Sequence, residues 1–163
     1  MGDHGPVNTK TPAEWAAMNE PVVAVFRASD GAVPGRGPIL LLTTIGARSG
    51  EPRMMPLNYS RDDDRLVVIG SKGGSPTHPS WYLNLVADPV VTIEVGRERF
   101  RARARTAQEP ERTRLFDVQV ARMPFFDGYR RQVTQREIPV VVFERIPDGP
   151  EDAAGPDALD GAA

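Results

Sequence analysis

Apolar positions along the chain recur with two different periods, and each change of period marks a new element. Trp15, Met18, Val22 and Phe26 fall at three- and four-residue steps, which places them on one stripe of a helix. Thr11, Pro12 and Glu14 supply its start: a threonine N-cap, a proline at the first helical position and a glutamate placed to close a capping box. Pro21 lacks the N–H that would continue the ladder, so the pattern predicts a kink near Asn19, or two short helices with Asn19 capping the second.

The period then shortens. Pro38 to Ile45, Arg53 to Ser60 and Arg65 to Ser71 are apolar or β-branched runs parted by Gly, Ser, Pro and Asp clusters, as expected of strands in hairpin succession. His78 to Asp88 predicts a short helix, with a proline at its start and Asp88-Pro89 at its end. Val91, Ile93 and Val95 next alternate with Thr92 and Glu94, and Phe100, Ala102 and Ala104 alternate with Arg101, Arg103 and Arg105. These are two strands with one dry and one wet face each. Thr106 and Glu109 predict a second capping box, opening a helix whose Leu115, Phe116, Val120 and Met123 face the core. Ile138 to Glu144 forms the last strand. About six strands, no βαβ alternation and no glycine-rich dinucleotide fingerprint argue against a Rossmann sheet. The expected fold is mainly β (α+β), a closed or split antiparallel β-barrel with flanking helices.

Composition narrows the function. The chain has 163 residues, enough for one well-filled domain, which the pattern places at residues 11–146 between flexible tails at 1–10 and 147–163. A formal net charge of −2 gives no reason to expect a nucleic-acid partner. With no cysteine, disulfides, iron–sulfur clusters and thiol nucleophiles are excluded, so any redox chemistry belongs to a bound cofactor. His4 and His78 do not pair as metal ligands, and no G-x-S-x-G nucleophile elbow is present. His78 reads instead as a helix cap. No leader-like or membrane-spanning apolar run occurs, which makes the cytoplasm the default compartment. An internal amphipathic helix accounts for Trp15 and its neighbours more simply than contact with a membrane surface.

Two turns carry the candidate chemistry. Gly46-Ala47-Arg48-Ser49-Gly50 with Arg53, and Ser71-Lys72-Gly73-Gly74, each join glycines and a small hydroxyl to a fixed cation, and Lys72 is one of only two lysines. Glycine lets backbone N–H groups approach an anion, and the cation opposes its charge, so such turns suit phosphate. Taken singly, each also has the composition of a solvated loop. Trp81 could stack on a planar ring or pack in the core with Tyr82 and Leu85, and Asn84 could bond either backbone or ligand. Arg101, Arg103 and Arg105 read as a solvated basic face answered by acids. Met123-Pro124-Phe125-Phe126 with Tyr129 could line an acceptor pocket or form a helix–barrel seam.

Leu42-Thr43-Thr44-Ile45-Gly46, Arg48-Ser49-Gly50, Pro52-Arg53, Pro56-Leu57, Ser71-Lys72-Gly73-Gly74, His78-Pro79, Trp81-Tyr82-Leu83-Asn84-Leu85 and Ile138-Pro139-Val140-Val141, in this order and spacing, resemble the deazaflavin-dependent nitroreductase family. The resemblance implies a split β-barrel that binds coenzyme F420 and reduces a quinone, nitroaromatic or conjugated enone. It assigns the cofactor's phosphate and acidic tail to Arg48, Arg53 and Lys72 with Ser49. The deazaflavin ring is bordered by Met54, Pro56, Leu57, Asn58, Ile69, Ser71, Trp81 and Asn84. Ser71 and Tyr129 are the candidate proton or hydrogen-bond donors, and Asn58, Met123, Phe126 and Tyr129 the acceptor pocket. Asn58, Met123 and Phe126 stand where some members carry tyrosine, which weighs against nitroimidazole activation. An FMN-binding barrel and a non-catalytic F420 or flavin carrier are the alternatives, and the chain is expected as a monomer or homodimer.

Overall fold

The computed structural model describes residues 11–147, so the predicted tails lie outside the described residues apart from Pro147. The chain forms α1 (Pro12–Ala28), β1 (Ile39–Ile45), β2 (Pro52–Asn58), β3 (Ser60–Asp62), β4 (Arg65–Ile69), a single 3-10 turn (Lys72–Gly74), α2 (Ser80–Ala87), β5 (Val90–Val95), β6 (Glu98–Thr106), α3 (Glu111–Arg122), α4 (Phe125–Gln132) and β7 (Val140–Arg145). The strands make one antiparallel sheet in the order β2-β1-β5-β6-β7-β4-β3. It curls into a split β-barrel.

Side-chain alternation divides the sheet into two faces. Inside the curl, Leu40, Leu42, Leu66, Val68, Val91, Ile93, Ala102, Ala104, Val141 and Phe143 pack together, and α2 adds Trp81 and Leu85 to them. Outside, Val67, Ile69, Val140 and Val142 lie under Leu115, Phe116, Met123 and Phe126 of α3 and α4. Ile39 and Leu41 lie under Phe26 of α1. Strands covered on both sides therefore read as unbroken apolar runs in β1, β4 and β7, while β5 keeps the alternation expected of a half-wet strand.

Several expectations need correction. The sheet has seven strands because the run after Arg53 breaks at Tyr59 and resumes as β3. α1 is one continuous helix through Pro21, and Asn19 does not cap a second helix but donates to Met55 Sδ at 2.9 Å. Its capping box at Thr11 and Glu14 is present. Met18 is 44% exposed and leaves the predicted buried stripe. Thr106 ends β6 and bonds Tyr82 Oη at 3.0 Å, so no second capping box forms there. The Glu109 carboxylate accepts from the Thr113 N–H at 2.7 Å and starts α3 instead. α4, eight residues beyond the Pro124 break, had no sequence expectation. The arginine face is answered by acids: Arg105 pairs with Glu111 and with Glu144 at 2.8 Å.

Candidate active site

The β1–β2 turn is closed by its own backbone. Gly46 N donates to Glu51 O and Gly50 N to Gly46 O, both at 2.8 Å. A Cβ on Gly46 would stand 2.5 Å from Ser49 Oγ and 3.7 Å from Arg53 Nε, so only glycine lets these two side chains crowd the turn. Asn84 fixes the turn to α2. Its Oδ1 accepts from Ala47 N at 3.0 Å, and its Nδ2 donates to Thr44 Oγ1 at 3.1 Å. Asn84 and Thr44 are buried, so this bridge is a rigid one. Arg48 makes no ion pair among the described residues, and Arg53 reaches only Glu51, at 3.7 Å.

The second turn, Lys72–Gly74 with Ser71 before it, runs through Ser75 to Pro79 into the start of α2. Ser71 is right-handed (φ −73°, ψ −30°), and Lys72, Gly73 and Gly74 follow at φ 48°, 59° and 84°. A right-handed residue followed by a left-handed one turns successive N–H groups into an anion-binding concavity. Lys72 is the unusual member, since a side chain at positive φ is strained and such strain concentrates at functional sites. Its ammonium bonds Thr77 Oγ1 at 3.2 Å and meets no carboxylate among the described residues. α4 packs against this turn so closely that a Cβ on Gly74 would lie 2.8 Å from Gln132 Oε1. Tyr129, one helical turn before Gln132, is half-buried and edge-on to Phe126 at 5.5 Å.

Arg136 holds the loop from beneath. Its guanidinium donates to the carbonyls of Gly70 at 3.1 Å, Ser71 at 3.0 Å and Ser75 at 3.0 and 3.2 Å, and lies 3.1 Å from His78 Nδ1. His78 thus does not cap α2, whose N-cap is Pro79 without a side-chain bond. Burial, with the Arg136 charge alongside, pushes the His78 imidazole below its ordinary value. The folded state favours the neutral ring, which accepts from arginine. This contribution to stability is complete above the unfolded value of about 6.5 and is lost as pH falls through the lowered folded value. NMR titration, with His78→Asn identifying the resonance, is expected to place the His78 midpoint below that of the unfolded chain; a midpoint at or above it would contradict the contact.

Register sorts the ring-bordering candidates. Arg53, Met55 and Leu57 lie opposite Thr44, Leu42 and Leu40 on the inner face, while Met54, Pro56 and Asn58 lie opposite Thr43, Leu41 and Ile39 on the outer face. One flat ring cannot border both sets on a continuous strand. Asn58 Nδ2 donates to Arg36 O and Pro38 O, and a Cβ on Gly37 would touch both Asn58 Nδ2 (3.7 Å) and Met123 Sδ (3.8 Å). The end of β2 and the α3–α4 junction are thereby neighbours, which brings Asn58 and Met123 together. Trp81 and Ile69 are in the core, at 6% and 5% exposure, which for Trp81 is the core packing read as one of its two alternatives. Phe126 is likewise core. Arg136, Thr77 and Gln132 were missed. Arg136 bonds backbone carbonyls some sixty residues away and Gln132 packs on the distant Gly74, while Thr77 bonds the nearby side chains of Lys72 and Ser75; none of these contacts leaves a periodic trace.

A sequence profile of the family described as F420H(2)-dependent quinone reductase matches residues 19–145. An F420H(2)-dependent quinone reductase of Mycobacterium tuberculosis is 40% identical over 129 residues, which are 75% of this chain and 86% of the relative. Among solved structures, an F420-H2 dependent reductase (FDR-A) superposes with a TM-score of 0.61 at 37% identity, covering 66% of this chain and 94% of that one. A domain-swapped dimer gives 0.62 at 31% identity, covering 82% and 100%. The resemblance read from the motifs is borne out in its cofactor and its barrel, with a quinone in the family's description. The chain belongs to the F420H(2)-dependent quinone reductase family, oxidoreductases that draw hydride from reduced coenzyme F420.

Proposed function

We propose that the chain anchors F420 through its two cationic turns and passes hydride to a quinone held near Asn58, Met123 and Tyr129. The carrying observation is the Ser71–Gly74 turn: a strained Lys72 without an acidic partner among the described residues, beside backbone N–H groups arranged for an anion. These residues suit a group with a phosphate and acidic tail. Lys72, Arg48 and Arg53 supply charge, and Ser49 with the turn N–H groups supplies directed donors.

When bound, reduced F420 supplies a hydride. The chain's own residues position the acceptor and keep water out. Ser71 and Tyr129 each offer a hydroxyl with no hydrogen-bond partner among the described residues, suited to donate to the acceptor oxygen on which negative charge builds. Hydride and one proton together convert quinone to quinol. Phe125, half exposed and 4.7 Å from the core ring of Phe126, gives the acceptor an apolar surface, which favours a quinone over a polar nitroheterocycle. The F420 site works in the cytoplasm as a monomer or homodimer; the domain-swapped relative supports the dimer.

Anaerobic titration tests this. F420 is expected to bind more tightly than FMN, and F420H2 to be oxidised faster with a naphthoquinone than with a nitroimidazole. Tighter FMN binding would support the flavin alternative, and F420 binding without turnover would leave a carrier.

A further inference from the structure

No motif draws attention to Arg136, yet its guanidinium makes five hydrogen-bond contacts with the one segment from Gly70 to His78. We infer that Arg136 is a positioning residue for the cofactor: it holds the Ser71–His78 loop in the shape that presents Lys72 and its neighbouring N–H groups. This rests on the assignment of that loop to the cofactor's acidic end.

The geometry is one-sided. Arg136 meets only acceptors: the carbonyl oxygens of Gly70, Ser71 and Ser75, and Nδ1 of the neutral His78 ring. Drawing those oxygens to one point fixes the peptide planes on either side of Ser71. Gly74 N–H closes onto the same Ser71 oxygen at 3.0 Å and Ser75 N–H onto Lys72 O at 3.1 Å, while the N–H groups of Lys72 and Gly73 have no acceptor among the described residues. Carbonyl ends are consumed within the protein and two amide donors remain. A strained Lys72 at φ 48° needs such external fixing, because the turn without it relaxes to the commoner right-handed backbone.

Charge adds to shape. Arg136 is half-buried and has no carboxylate partner among the described residues, so its positive charge is answered only by dipoles. It therefore raises the potential of the loop that lies over it. Lysine cannot substitute, since an ammonium lacks the planar fork that reaches several carbonyls at once.

The test compares the full-length parent with Arg136→Ala and Arg136→Lys by F420 titration, F420H2 steady-state kinetics and thermal melting. Both variants are expected to raise the F420 Kd and the KM for F420H2 at least tenfold, with a much smaller fall in kcat. Added guanidinium is expected to recover part of the affinity of Arg136→Ala and none of Arg136→Lys, whose side chain fills the space. A lowered melting temperature with unchanged F420 Kd would overturn the inference, as would loss confined to kcat. Should Arg136→Ala not fold, Arg136→Lys carries the same comparison. A parent that fails to bind F420 overturns the cofactor reading itself, whereas a parent that binds with both variants equal to it overturns only the role of Arg136.

Discussion

Lys72→Ala is expected to weaken F420 binding by one to two orders of magnitude while leaving the melting temperature almost where it was. The side chain contributes little to the fold: among the described residues its hydrogen bond goes to the exposed Thr77, and no carboxylate meets it. A charge-assisted bond to phosphate is worth about 1.5–3 kcal/mol, which converts to roughly a ten- to hundredfold change in Kd. Lys72→Gly sharpens the test. Glycine adopts φ 48° without strain, so this variant is expected to melt at or above Lys72→Ala while binding F420 equally poorly. Opposite signs on stability and affinity would identify a residue kept in an unfavourable backbone conformation for its ligand. Parent-like affinity in both variants would remove Lys72 from the site and with it the main support for the proposed anchor.

Lys72 also shows how far the sequence could be read. The glycine-flanked cation and its place after an apolar strand were visible as composition, and so were the β1–β2 turn and the succession of hairpins. The split of β2 into an inner and an outer face was not, because a contiguous stretch of motif residues looks like one lining until strand alternation separates Leu57 from Asn58. Trp81 was left open between two readings for a related reason. An aromatic beside a candidate ligand loop has the same sequence signature whether it faces ligand or barrel, and here it packs with Leu85 of the same helix into the barrel core. α4 was hidden because Phe125–Gln132 is polar on average, and its short apolar edge of Phe126 and Tyr129 spans too few turns to set a period. Arg136 was hidden most completely, since a guanidinium bonded to carbonyls has no acidic residue at a telling distance in sequence.

Asn84→Ala is expected to damage stability and cofactor affinity together, unlike any change at Lys72. The amide joins Thr44 of β1 to the amide of Ala47 and lies 8% exposed, so its removal deletes two bonds and leaves the 1%-exposed Thr44 hydroxyl unpaired. Two lost bonds and one stranded polar group cost about 2–4 kcal/mol, which for a chain of this length lowers the melting temperature by roughly 5–15 °C. The turn that carries Arg48 and Ser49 is then released from α2, and F420 Kd is expected to rise about tenfold, the equivalent of ~1.4 kcal/mol. Asn84→Asp separates geometry from charge. A carboxylate still accepts from Ala47 N–H and from the Thr44 hydroxyl, so the turn stays in place. It also sets a negative charge beside Arg48, where an anionic ligand would approach. That variant is therefore expected to melt close to the parent and to lose affinity mainly at low ionic strength, where the repulsion is least screened. Should Asn84→Ala keep both the parent's melting temperature and its Kd, the turn is not held by α2. A ligand site spanning the two would then lose its frame.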